Sequence, residues 1–249
     1  VIVNSWLNTF ELIAQHDHGR LAGKLAQAWG DKDFLQDRQR EAVIKAVYDH
    51  DKSWLPLDQQ PRWDDEKQTF LSFYEYPLDE KLKAYKRGVT ALEEENGYSA
   101  ALVSLHYTSF LKGELPSPAA QFKSVEQRRQ YRLAGNASLQ AHLDLLQFCD
   151  DLSLYALLNI PGIDKAGEWP WFKHGFRQVF SFLQHQTIQA KWCNRWTIQL
   201  SPFPFSAPVD AHIDVLHVNR EIASYSQEQA LREAVPGQRR LRFCGSHSM

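Results

Sequence analysis

Leu143-Asp144-Leu145-Leu146-Gln147-Phe148-Cys149-Asp150-Asp151-Leu152-Ser153-Leu154-Tyr155-Ala156-Leu157, closed by Ile160-Pro161-Gly162, decides how the rest of the chain is read. Leu143, Leu146, Asp150, Leu154 and Leu157 recur at spacings of three and four, which places them on one face of a helix. Before Ile160 apolar residues keep this helical spacing, with few β-branched runs. After it, Trp196-Thr197-Ile198-Gln199-Leu200 and Ile213-Asp214-Val215-Leu216-His217-Val218 alternate with period two, as half-buried strands do. Ser201-Pro202-Phe203-Pro204-Phe205 reads as a strand exit or an edge, because two prolines remove ladder donors. Ser226-Gln227-Glu228-Gln229 opens one short helix. The expected architecture is mainly α: a helical metal-binding domain over residues 1–160, then a small antiparallel β region over 161–244 packed on it. Residues 245–249 read as an appended tail and stand outside the fold.

Between residues 52 and 96 the helical pattern weakens. Trp54-Leu55-Pro56, Gln60-Pro61-Arg62-Trp63 and Tyr76-Pro77 interrupt it, and a helix is expected only from about Asp79 to Glu95. A connection of this length is usually functional.

The composition narrows the function classes. The 249 residues are 43% hydrophobic and 23% charged, with 28 Lys plus Arg against 30 Asp plus Glu. So even a balance argues against general nucleic-acid binding. No apolar run reaches the ~18 residues of a membrane span. The first residues lack the basic and apolar stretches of a signal peptide. Three scattered cysteines make neither a disulfide framework nor a thiolate zinc site. A reduced, cytoplasmic protein with no membrane partner is expected.

Four helical segments carry metal-type ligands on their apolar stripes. His18 falls in line with Ala14, Leu21, Ala22, Leu25 and Trp29. His50 and Asp51 follow Val43 and Val47 at i+7 and i+8, His106 lies between Leu102 and Phe110, and Asp150 is on the stripe described above. A carboxylate on a buried helix face costs several kcal/mol unless it is paired or bound to a cation. Asp51 and Asp150, with inward histidines nearby, therefore form a shell suited to a divalent metal ion. Imidazole and carboxylate suit Mn, Fe, Zn or Ni, and the absence of thiolate disfavours a structural zinc. Asp49, Asp151 and His16 point off the stripes; His142, two turns before Asp150, is a weaker candidate.

The order His18, then His50-Asp51, then Asp150, each on its own helix, resembles the HD superfamily of metal-dependent phosphohydrolases. Gln15-His16-Asp17-His18-Gly19-Arg20-Leu21-Ala22-Gly23, His50-Asp51-Lys52-Ser53-Trp54 and Cys149-Asp150-Asp151-Leu152-Ser153-Leu154-Tyr155 also resemble a bacterial family of unknown function. Leu200-Ser201-Pro202-Phe203-Pro204-Phe205 fits that family's β tail. The resemblance implies an HD-type helical bundle in which His18, His50, Asp51 and Asp150 bind the metal. His106 matches an extra histidine that serves a second metal or the substrate. Dinuclear members use two histidines in that interval, and only His106 sits well here. The implied reaction is hydrolysis of a phosphate ester or nucleotide-like small molecule. Asp51 would orient water, and His106, Lys52 and Arg20 would contact the phosphoryl group; for Lys52 and Arg20 a solvated helix end or a surface ion pair explains the charge equally well. Trp54 and Trp63 would wall the pocket, or pack in the core as most tryptophans do. Two other readings stay open: an HD-fold iron oxygenase, and a non-catalytic HD-like sensor or scaffold. Aromatic strands in the β region fit a homodimer interface, and core packing explains the same residues.

Overall fold

The computed structural model describes residues 1–134 and 139–246. The last three residues of the tail assigned to 245–249 lie outside the described residues. The chain opens with a hairpin, β1 (Ile2–Ser5) and β2 (Thr9–Ile13), and then enters α1 (Gln15–Gln27). There follow α2 (Lys32–Leu35), α3 (Arg40–Asp49) and α4 (Leu55–Asp58), and a small hairpin of β3 (Trp63–Asp64) and β4 (Thr69–Phe70). The long helices come next: α5 (Leu78–Glu95), α6 (Gly97–Ser109), α7 (Ser117–Ala134) and α8 (Gln140–Leu158). The C-terminal third supplies β5 (Gln189–Trp192), β6 (Thr197–Ser201), β7 (Val209–Asn219), α9 (Arg220–Tyr225), α10 (Gln227–Arg232) and β8 (Val235–Cys244).

The expected helical bundle with a small antiparallel β region is corrected by the sheet, and so is an all-α description. Six strands form one mixed sheet in the order β1-β2-β7-β8-β6-β5. All its pairings are antiparallel except the parallel pair β6–β8. Its spine is the long β7–β8 ladder, in register from Val209 opposite Phe243 to His217 opposite Val235. Two of the six strands come from the N-terminal hairpin, in the stretch expected to be helical. Thr9–Asn219 and Leu12–Leu216 bracket the register that ties β2 to β7. A pairing across some two hundred residues leaves no trace in local periodicity, and this is why the sheet is larger than its sequence pattern indicates.

The alternation of β7 serves the helices. Val209, Ala211, Ile213 and Val215 are buried, and Asp210, His212 and Asp214 between them face out. The buried set joins Leu241 and Phe243 of β8 in one core with Leu21, Leu25, Val43, Val47, Leu102, Leu146 and Tyr155 of the helices. A second, smaller core covers the opposite face of β2. There Phe10 and Leu12 pack with Phe70, Val218, Ala223 and Ala230. That explains why β2 is buried on both faces.

Around the site, α1 packs against α3 and α8, and α3 against α6. The α1–α3 approach is close because Gly23 lies under the Tyr48 ring, where a Cβ would come within 2.3 Å of ring carbons. Ser226 caps α10 by accepting a hydrogen bond from the Gln229 amide, as its sequence signature indicates. Among the described residues no helix is long and apolar enough to cross a membrane.

Candidate metal centre

Each ligand helix delivers its side chain for a local reason. His18 lies in the first turn of α1, on the face that also buries Leu21, Ala22 and Leu25. His50 caps the C-terminus of α3, and Asp51 immediately precedes the 3-10 turn over Lys52–Trp54. His106 lies in the last turn of α6, and Asp150 in the middle of α8 among Leu146, Cys149 and Leu154. Two of the ligand positions are thus at helix C-termini, where unpaired carbonyls carry partial negative charge and favour a cation.

The side chains meet. His18 Nε2 is 3.2 Å from His50 Nε2, 3.3 Å from Asp51 Oδ2 and 3.3 Å from Asp150 Oδ1. His50 Nε2 is 3.4 Å from Asp150 Oδ1 and 3.9 Å from Asp51 Oδ2. Donor atoms sharing one ion at about 2.1 Å lie roughly 3.0–3.4 Å apart, so these spacings are those of a coordination shell slightly expanded. His106 approaches from the side, its Nε2 3.5 Å from Asp150 Oδ2. Two overlapping sets, His18–His50–Asp51 and His50–His106–Asp150, are able to hold a metal ion.

The surrounding hydrogen bonds aim the lone pairs inward. The Ser153 hydroxyl donates to the Asp150 carbonyl at 2.9 Å, so it accepts from His18 Nδ1 at 2.5 Å. The Val47 carbonyl accepts from His50 Nδ1 at 2.7 Å. With both Nδ1 atoms carrying protons outward, both Nε2 atoms present their donor sites to the centre, the arrangement in which outer partners orient metal-binding histidines. Tyr107, stacked on Tyr85 at 3.9 Å, donates its hydroxyl hydrogen to the His50 carbonyl and fixes the end of α3. His106 differs: among the described residues its buried Nδ1 has no hydrogen-bond partner.

The electrostatics follow from this packing. Burial by itself lowers the His50 pKa, but the Asp51 charge, the hydrogen bond and charge of Asp150 and the Val47 carbonyl outweigh it and raise it to about 9. Burial pushes Asp150 up, and the hydrogen bond from His50 with the charges of His106, His50 and His18 holds it well below the usual carboxylate range. Burial dominates at His106 and takes it down to about 4. In the metal-free protein the His50 imidazolium therefore stands where a cation would. Its raised pKa stabilises the folded state fully below the ordinary value of 6.5, and that contribution is lost as pH rises through about 9. A metal needs the neutral imidazole, so at pH 7 each bound ion is expected to release about one proton from His50. Affinity should rise about tenfold per pH unit between roughly pH 7 and 9 and level off above. Calorimetric titration in buffers of different ionisation enthalpy measures this release; none at pH 7 would show His50 already neutral.

The centre forms the floor of a cavity of about 420 Å³ that His18, Asp51, His106 and Asp150 line. Trp54 also lines it, as its sequence position suggests, whereas Trp63 packs on Phe10 and Phe70 in the smaller core. The structure does not bring Lys52 to the site: the 3-10 turn directs its ammonium to Asp49 and Glu95. Arg20 points outward, 3.7 Å from Asp17. His142 belongs elsewhere, between Asp37 at 3.2 Å and the Tyr98 hydroxyl at 2.6 Å. Sequence reasoning missed Asp151 and Arg177, both of which line the cavity. Burial and the adjacent Asp150 charge push Asp151 up to about 6, against the opposing pull of Arg177, whose Nε is 3.5 Å away. Asp151 directly follows a ligand, a signal the stripe criterion discarded; Arg177 lies in irregular chain and offered none.

Compared with known families, residues 1–220 match the model of a family described as a protein of unknown function, DUF3891. No curated protein and no solved structure matches the chain. The protein belongs to the DUF3891 family.

Proposed function

Because membership of that family carries no activity with it, we propose from the site itself that the protein is a metal-dependent hydrolase of phosphate esters, with an HD-like ligand set of His18, His50, Asp51 and Asp150. The observation that carries this reading is the convergence of the His18 and His50 Nε2 atoms with Asp51 Oδ2 and Asp150 Oδ1 at 3.2–3.9 Å on a cavity floor. Two imidazoles and two carboxylates fit Mn, Fe, Zn or Ni, and buried carboxylates in such a cluster call for a cation. When bound, a divalent ion supplies Lewis acidity, which activates water near neutral pH and polarises a phosphoryl oxygen.

The chain's own groups do the rest. Asp51 borders the cavity and is placed to accept a hydrogen bond from an attacking water. His106, neutral at pH 7, lines the same space and presents its imidazole to a phosphoryl oxygen rather than adding charge. Arg177, also on the wall, takes the place that the sequence resemblance gives to Lys52 and Arg20. Its guanidinium matches the charge that develops on a transferring phosphoryl group. Chelator-stripped protein, reloaded separately with each of the four ions, tests the proposal with p-nitrophenyl phosphate. Turnover is expected only after reloading. Equal rates in stripped and loaded protein, or inertness with all four ions bound, would overturn the hydrolase reading.

A further inference from the structure

Above the metal centre the cavity changes character. Tyr74, Phe110 and Trp171 stand on its wall and remain 40%, 49% and 55% exposed, among the largest uncovered apolar side chains of the described residues. They are held in place. Trp171 meets Trp169 edge-on at 6.0 Å, Tyr74 lies 6.2 Å from Trp171, and Phe110 sets its ring 4.7 Å from that of His106. The cavity thus carries aromatic surface in two places, Tyr74 with Trp171 on one part of the wall and Phe110 against His106 beside the metal-type cluster. Aromatic surface left in water forfeits roughly 25 cal/mol per Å², which a flat ligand recovers by stacking.

The same cavity holds a cation with no counter-charge. Lys81 lines it half-buried, and its ammonium donates to the Tyr74 carbonyl at 3.3 Å. Among the described residues no carboxylate lies within salt-bridge distance of it. Its partial burial lowers its pKa, the mark of a charge removed from water without a partner. Arg177, which meets the phosphoryl group in the hydrolase reading, differs in having a carboxylate beside it, that of Asp151 at 3.5 Å.

Resting on the hydrolase reading, we propose that the substrate of this site is an anion built on one planar ring system. Its ring lies against Tyr74, Phe110 and Trp171, and Lys81 supplies the missing counter-charge. The volume of about 420 Å³ admits one ring system with its phosphate. Aryl phosphates and nucleoside monophosphates share this chemistry.

Calorimetric binding of 1-naphthyl phosphate, adenosine monophosphate and glycerol 3-phosphate to the full chain tests it, with metal content measured on the same samples. At least one ring-bearing phosphate is expected to bind about tenfold more tightly than glycerol 3-phosphate, and whichever binds better identifies the kind of ring. Trp171→Ala and, independently, Phe110→Ala should each remove most of that preference. Lys81→Gln should weaken ring-bearing phosphates about fivefold without changing metal content. Equal binding of the three ligands, or a preference that survives both aromatic substitutions, would overturn the proposal. Stoichiometric metal with no ring preference leaves the hydrolase reading standing and removes this one. Ring preference without metal leaves the cavity assignment and removes the hydrolase reading.

Discussion

Replacing His50 and Asp51 together with alanine is expected to leave the purified protein with less than about a tenth of the parent's divalent metal, because two first-contact donors are lost at once. These residues supply one Nε2 and one Oδ2 to a cluster whose atoms approach within 3.2–3.9 Å. The thermal midpoint gives a second readout. An ion present at about a hundred times its dissociation constant stabilises the folded state by roughly 2.7 kcal/mol, about 5–10 °C for a chain of this size. The parent should show that shift on metal addition and the double variant should not. The metal-free variant is expected to remain folded, since His50 and Asp51 are removed as a charged pair and Val43 and Val47 still pack the α3 face. Elemental analysis decides the matter: unchanged metal stoichiometry in the variant would place the ion elsewhere.

A comparably large effect is expected far from the cavity. Arg239 on β8 is buried, and its guanidinium forms an ion pair with buried Glu11 of β2. The same group donates to the Ala156 and Leu157 carbonyls at 3.1 and 3.2 Å, at the C-terminal end of α8. Asn4 of β1 joins the network, bonding Glu11 at 3.1 Å and the Leu157 carbonyl at 2.9 Å. One side chain thus bolts the helix that carries Asp150 to three strands of the sheet. Arg239→Ala would leave a buried carboxylate unpaired and helix-end carbonyls without donors, a loss of about 3–5 kcal/mol. The paired replacement Glu11→Leu with Arg239→Met should recover most of it, because the cost lies in the orphaned charge rather than in the missing attraction. Urea unfolding midpoints of the three proteins give the comparison. An Arg239→Ala protein as stable as the parent would mean that water reaches Glu11.

The candidate cluster was legible because each member obeys a local rule. His18, His50, Asp51, His106 and Asp150 interrupt apolar stripes at helical spacing, and an ionisable residue on a buried face demands a partner. Lys52 is placed at the substrate by the resemblance and not by this rule. It follows Asp51 in sequence, but α3 ends at Asp49 and the 3-10 turn swings the next side chain away to Asp49 and Glu95. The rule itself passed over Asp151, which borders the cavity from a neighbouring face of α8. The helix expected from about Asp79 appears as α5, from Leu78 to Glu95, because Pro77 and a continuous apolar stripe mark it locally.

By itself, the sequence determined the helices of the body, the late strands and the inward turn of His18, His50, Asp51, His106 and Asp150, since all of these depend on residues a few positions apart. Tertiary structure alone decided the size of the sheet, the pairing of β2 with β7, the Arg239 bolt and the aromatic wall carrying Tyr74, Phe110, Trp171 and Lys81. Those features join segments separated by tens to hundreds of residues. Hydrogen-bond register and shared burial select them only once the chain has closed on itself.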